Sequence, residues 1–163
     1  MRLSRLLTAL VVGALLALVT APVMAATPPA PVHGHMSEGP TEFDDSVTCA
    51  AEGITFHSVF SQTIDYTIFY NPDGSQRVII AHLHQVDTLS ANGKTLVEND
   101  HWSNFIYPDG HTVSVGTDAN IRGDHGIVLH DAGRLIVNGN TVLFEAGQHP
   151  QDYGSTFCAA LLP

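Results

Sequence analysis

The sequence predicts an all-β domain that folds as an antiparallel up-and-down β-barrel of about eight strands. Apolar and polar residues alternate with a period of two, which is typical of strands that bury one face. Turn motifs such as Asn71-Pro72-Asp73-Gly74, Asn92-Gly93 and Pro108-Asp109-Gly110 separate these segments at short intervals. No long segment has the apolar spacing of a helix, although a short helix is expected near Thr156 to Leu161. The same pattern is compatible with a β-sandwich, which is the alternative.

Residues 1–25 have the three parts of a secretory signal peptide. Arg2 and Arg5 form a charged start, and the apolar segment Leu6 to Val19 follows them. Val23-Met24-Ala25 then offers the small residues that precede a cleavage site. The apolar segment is shorter than the roughly 20 residues of a membrane-spanning helix. We therefore expect cleavage after Ala25, secretion to the extracellular side, and no membrane span in the mature chain.

Cleavage would leave a strongly acidic protein. Arg2 and Arg5 would be lost from the six basic residues, so four would remain against sixteen carboxylates. This excess of negative charge argues against nucleic acid as a partner, because nucleic-acid phosphates would be repelled. All ten histidines would stay, so the net charge is expected to respond to mild acid.

Cys49 and Cys158 are the only cysteines of the chain. Because exported proteins form disulfides, and because no Cys-x-x-Cys spacing indicates a metal site, we expect the two to pair. The bond would join the ends of a single domain over residues 45–163. Residues 26–44 are rich in proline and glycine, which predicts a flexible linker. Within it, His33-Gly34-His35 is interpreted as solvated linker rather than as a weak metal-binding tail.

The strands can be followed in chain order. The first clear alternation lies between Thr63 and Tyr70, and the next strand covers Val78 to Leu89. Further strands are expected at about 101–107 and 111–115. Residues 126–149 then form the last hairpin, which turns at Asn138-Gly139 or at Gly139-Asn140.

The last hairpin carries a charged pair, Arg134 and Glu145. Either choice of turn places both residues on one face, so we interpret them as polar anchors for a ligand. A structural ion pair is the simpler alternative. Tyr66 and Tyr107 are candidates to line the interior beside them, although plain core is again the simpler interpretation. The adjacent His130 and Asp131 should point to opposite faces and form no catalytic dyad.

His82 and His84 are separated by one residue, so they should project from the same face of a strand. Such a pair can bind a divalent metal if another strand supplies a further ligand. The candidates for that ligand are His101, His111, His130 and Glu145. Cupins place two histidines on a barrel strand in this way, but the glutamate expected soon after them is absent here. A polar outer face is the alternative interpretation.

Three segments of the chain resemble a family of short exported actinobacterial β-domain proteins. They are Gly126-Ile-Val-Leu-His-Asp-Ala-Gly-Arg134, Phe144-Glu-Ala-Gly-Gln-His149 and Phe157-Cys-Ala-Ala-Leu161. The resemblance covers most of 45–163 and implies an exported, barrel-like β fold. It implies no activity and transfers no site residue. The architecture also resembles the barrels of allene oxide cyclase and of dirigent-type proteins, which does not imply their chemistry.

No enzyme class is indicated, because the chain has no nucleophile elbow, phosphate loop or dinucleotide fingerprint. We expect a secreted protein, without an assigned activity, that binds a small apolar molecule inside the barrel. One alternative is a metal-dependent, cupin-like enzyme that uses His82 and His84 to bind a divalent metal, and no other cofactor is expected. The other alternative is a structural or interaction protein of the cell envelope.

Overall fold

The computed structural model describes residues 26–150 and 152–163, and the signal peptide expected at 1–25 lies outside them. Seven strands make up most of the chain: β1 Val32–Asp45, β2 Phe56–Tyr70, β3 Gln76–Ala91, β4 Lys94–Ile106, β5 His111–Gly123, β6 Gly126–Asn138 and β7 Thr141–Gln148. Within the described residues, one 3₁₀ turn spans Ala50–Glu52 and one helix, α1, spans Tyr153–Ala160. No helix within these residues has the length and apolar character needed to cross a bilayer.

The strands form one antiparallel sheet in which each strand pairs with the next one along the chain. This arrangement confirms the predicted all-β class, the up-and-down order and the short C-terminal helix. The sheet is not closed into a barrel, because β1 and β7 form its two edges in the described part of the chain. Long strands, up to the 16 residues of β3, account for finding seven strands where about eight were expected.

The interpretation of 26–44 as a flexible linker is wrong from Val32 onward. β1 lies there and pairs with β2, with one register shift between Glu38 and Thr41. Pro40 lies within that shift, at the sheet edge, where a residue without an N–H group is tolerated. β1 is exposed over nearly all of its length, so its sequence does not show the apolar alternation on which the prediction relied.

The hydrophobic core lies at one end of the sheet, on the face that α1 covers, which we call the helix face. Ile121 and Leu129 pair across β5 and β6 and are 1% and 3% exposed. Phe157 and Leu161 from the C-terminal segment belong to the same buried cluster. The ring of Phe157 meets the ring of Phe56 edge-on, with 5.3 Å between centroids. Burying such side chains stabilises the fold by roughly 1.5–3 kcal/mol each.

The predicted disulfide between Cys49 and Cys158 is formed, with an S–S distance of 2.03 Å. Both cysteines are buried in the core at the end of the sheet. The bond connects α1 to the segment between β1 and β2, so the C-terminal segment is fixed close to the start of the sheet. A disulfide is compatible with an extracellular location.

The two faces of the sheet carry different ionisable groups. The eight histidines within strands all project from the side opposite α1, which we call the histidine face. They are His33, His35, His57, His82, His84, His101, His111 and His130. Eight strand carboxylates project from the helix face, namely Glu38, Asp45, Asp87, Glu98, Asp100, Asp118, Asp131 and Glu145. The histidine face has three, namely Glu42, Asp44 and Asp65. Negative charge is therefore concentrated on the helix face.

Candidate ligand-binding groove

The structure separates Arg134 from Glu145, which were expected to share a face. Arg134 is paired with Ala146 across β6 and β7, and Leu135 is paired with Glu145. The prediction failed because the register shifts by one residue between Ile136 and Val137, which reverses the facing of every residue beyond it. Arg134 therefore lies on the histidine face, with its guanidinium 5.9 Å from the centroid of the Phe144 ring.

His82 and His84 share the histidine face, as the sequence predicted, but each has a separate neighbour. His82 Nδ1 is 2.8 Å from the Ser103 hydroxyl, whereas the His84 ring stacks on His101 with centroids 4.1 Å apart. Glu145 projects from the other side of the sheet, which removes it as a third ligand. Within the described residues, no three histidine, cysteine or acidic side chains are placed to share a metal ion.

Tyr66 and Tyr107 do not line a common interior. Tyr66 lies on the helix face near the β1 edge, where its ring covers the backbone of Gly34. Tyr107 follows β4 and stacks on His111, with 4.4 Å between ring centroids. The two tyrosines therefore do not form the aromatic lining that the sequence suggested.

A groove of about 370 Å³ lies on the helix face, where β4 to β7 run side by side. Trp102, Leu135, Val142 and Pro150 give it apolar walls. Its polar side chains are those of Ser114, Asp118, Asp131, Glu145 and His149. A concave site with mainly apolar walls and a few convergent polar groups is the usual form of a small-molecule site.

The floor of the groove is made of glycines. Gly116 and Gly133 pair across β5 and β6, in the same row as Trp102 of β4 and Gly147 of β7. A Cβ added to Gly133 would lie 2.7 Å from His149 Nε2 and 2.9 Å from Gly147 Cα. The absent side chains therefore create the depth of the groove and let its walls approach.

His149 follows β7 and turns back over the groove. Its Nδ1 is 2.8 Å from Asp131 Oδ1, and its Nε2 is 3.3 Å from the Ala146 carbonyl oxygen. Because a carboxylate and a carbonyl only accept, both ring nitrogens must carry protons to satisfy both contacts. Burial alone would lower the pKa of His149, but these hydrogen bonds and the charges of Asp131 and Glu145 raise it.

Asp118 lies at the rim of the groove, exposed on one side. Burial of its other side raises the pKa of the Asp118 carboxyl, and the negative charge of Asp131 raises it further. The charge of His149 acts in the opposite direction. Outside the groove, burial also raises the pKa of Asp100, which accepts a 2.7 Å hydrogen bond from the Asn120 N–H. Within the groove, the negative charges of Asp118 and Asp131 are balanced only in part by His149.

We predict that Asp131→Asn lowers the pKa of His149, since it removes the charge and the acceptor that favour the imidazolium. A histidine whose pKa is raised stabilises the fold at low pH, and this contribution is lost as the pH rises through the raised pKa. NMR titration of the His149 ring protons measures the shift. Asp109→Asn, which removes a carboxylate 3.1 Å from His111 in a distant turn, should leave His149 unchanged.

Comparison of the chain with protein-family models, with curated proteins and with solved structures gave no match. The resemblance to exported actinobacterial proteins therefore stays a prediction.

The groove residues Asp118, Asp131 and His149 were not predicted as a site from the sequence. The expectation that His130 and Asp131 face opposite sides is confirmed by the register. The partner of Asp131 is instead His149, which is 18 residues away and lies beyond the last strand. One sequence feature could have indicated this site: His149 follows the end of β7, close to Gly147 and directly before Pro150.

Proposed function

We propose that this protein is a secreted binding protein that holds a small amphiphilic cation in the groove. The observation that carries the proposal is the set of three carboxylates, Asp118, Asp131 and Glu145, in a groove whose walls are apolar. His149 balances at most one of these charges. A purely apolar ligand, as the sequence suggested, would displace water from the other carboxylates without replacing its hydrogen bonds.

The electrostatics of Asp118 support a cationic ligand. The pKa of Asp118 is raised because ionisation of its carboxyl carries a cost, which comes first from burial and then from the nearby negative charge of Asp131. A bound ammonium group would reduce that cost and favour the ionised carboxyl. Binding is therefore linked to proton release, and the affinity should increase as the pH rises through the pKa of Asp118.

The walls support an apolar body on the ligand. Trp102 borders the groove, and an indole ring attracts a cation over its face by roughly 0.5–2 kcal/mol. Leu135 and Val142 lie on the neighbouring strands and offer apolar contact. The volume lies at the lower end of the usual range for small-molecule sites, so the ligand should be compact.

We predict that benzylamine binds and that the neutral benzyl alcohol binds more weakly. The chain has one tryptophan, so intrinsic fluorescence reports directly on Trp102 in the groove. Asp118→Asn should weaken benzylamine binding by about tenfold, which corresponds to about 1.4 kcal/mol. It should also remove the increase in affinity with pH.

Asp109→Asn serves as the control, because it removes one carboxylate from a turn away from the groove. Its affinity for benzylamine should equal that of the unchanged protein. Equal affinities for benzylamine and benzyl alcohol would contradict the proposal of a cationic ligand.

Secretion is part of the proposal. It is supported by the signal-like pattern of residues 1–25 and by a disulfide, which suits an oxidising compartment. Export would place the groove in contact with small molecules outside the cell.

A second candidate function is an interaction protein of the cell envelope. It is favoured by the exposed edge strand β7, where Val142, Leu143 and Phe144 are 56%, 60% and 46% exposed. An exposed strand edge with apolar side chains is a common place for another chain to pair. Phe144 and Leu143 are not among the residues that line the groove, so ligand titration and partner binding are separable properties.

A further inference from the structure

His33 and His35 stand side by side at the exposed β1 edge of the histidine face. Only Gly34 separates them, so their Cα atoms are roughly 6–7 Å apart along the strand and both side chains point the same way. Both residues are exposed, and the His35 side chain retains 59% of its accessible surface. Solvent therefore reaches both imidazoles.

Each of these rings is oriented by an oxygen atom of β2. His35 Nδ1 is 2.7 Å from Asp65 Oδ1, and His33 Nδ1 is 2.9 Å from the Thr67 hydroxyl oxygen. Because the Asp65 carboxylate only accepts, His35 Nδ1 must carry the proton of that bond. The neutral His35 ring therefore has its lone pair on Nε2, the atom a metal ion would take. Histidines that bind metals are commonly oriented in this way by a carboxylate or another acceptor.

The β1 backbone between the two histidines is covered on the helix face of the sheet. The ring of Tyr66 lies against the backbone of Gly34 on the helix face, in the space that a side chain would occupy. Gly34 is also paired with Tyr66 in the β1–β2 register. The two imidazoles thus project from a backbone segment that is covered on its other side.

We propose that His33 and His35 form a two-imidazole site for a borderline divalent transition metal, Zn²⁺ or Cu²⁺. Imidazole nitrogen is a preferred ligand of both ions, and water would complete the coordination. Within the described residues no third protein ligand is in place, so water would reach the bound metal and the metal would exchange with free ions in solution. The site lies on the opposite face and the opposite edge of the sheet from the groove, and it is independent of the proposed ligand.

The same chemistry favours this pair over His82 and His84. His84 Nε2 is buried without a hydrogen-bond partner among the described residues, and the ring stacks on His101 with an interplanar angle of 5°. Because the rings of His84 and His101 are parallel and stacked, their in-plane lone pairs cannot both be directed at one ion. The lone pair of His84 is therefore not presented to an ion arriving from solvent.

Calorimetric titration of the metal-free, untagged protein with Zn²⁺ tests the proposal. His33→Ala with His35→Ala should abolish the tightest binding event. The matched control, His111→Ala with His125→Ala, removes two imidazoles that have no histidine two residues away, and it should retain the event. Asp65→Asn should weaken it by about 10–100-fold, since the acceptor that orients His35 would be changed.

Cu²⁺ paramagnetic resonance provides a second readout that does not depend on affinity. The unchanged protein should show coupling to imidazole nitrogen, and the His33→Ala, His35→Ala variant should lose it. Circular dichroism of each variant verifies that the sheet is intact. The proposal is overturned if this variant binds Zn²⁺ as tightly as the unchanged protein, or if only removal of His82 and His84 abolishes binding.

Discussion

Replacing Cys49 and Cys158 by alanine is expected to lower the free energy of unfolding by about 4–5 kcal/mol through loss of the cross-link alone. The bond joins residues with a sequence separation of 109, so its loss frees a long loop of the unfolded chain. Both cysteines are buried in the core, and removal of their sulfur atoms also costs packing. Urea unfolding of the variant and of the unchanged protein, followed by circular dichroism, measures the difference.

Reduction of the unchanged protein separates the two causes. It breaks the cross-link but keeps both sulfur atoms, so it should reproduce the loop effect without the packing loss. If the double variant unfolds within about 1 kcal/mol of the unchanged protein, the packing of α1 alone holds the C-terminal segment.

Gly133→Ala is expected to destabilise the protein by about 1–3 kcal/mol and to close the groove. The new Cβ would meet the Ala146 carbonyl oxygen, Gly147 Cα and His149 Nε2, so β7 and His149 would have to move. Movement of His149 away from Asp131 would also reduce the raised pKa of His149. Thermal unfolding, NMR titration of His149 and benzylamine binding measure the three effects.

Gly154→Ala is the matched control for this substitution. Gly154 lies in α1, and nothing is within 4 Å of the position that its Cβ would occupy. Alanine should stabilise the helix there by about 0.5–1 kcal/mol and leave the groove unchanged. If Gly133→Ala behaves in the same way, the close approach of β6 and β7 does not define the groove.

Much of the fold was predictable because local patterns determine it. The alternation between Thr63 and Tyr70 indicated β2, and Asn92-Gly93 marked the turn between β3 and β4. β1 was not predicted, because an exposed edge strand is held mainly by backbone hydrogen bonds to its neighbour. Such bonds depend on the presence of β2 and leave no apolar pattern in the sequence.

The site was less predictable, because it depends on register. A shift of one residue between Ile136 and Val137 put Arg134 and Glu145 on opposite faces, and the turn residues alone do not reveal that shift. The contact between Asp131 and His149 depends on how the chain turns after β7. The groove also depends on the absent side chains of Gly116 and Gly133, which become neighbours only when β5 pairs with β6.

The segregation of carboxylates and histidines gives the sheet an electrical polarity along its normal. The helix face is the more negative side, because it carries eight strand carboxylates and the histidine face carries three. A charged surface therefore exerts a torque on the protein, which turns the helix face away from a negative wall and toward a positive one.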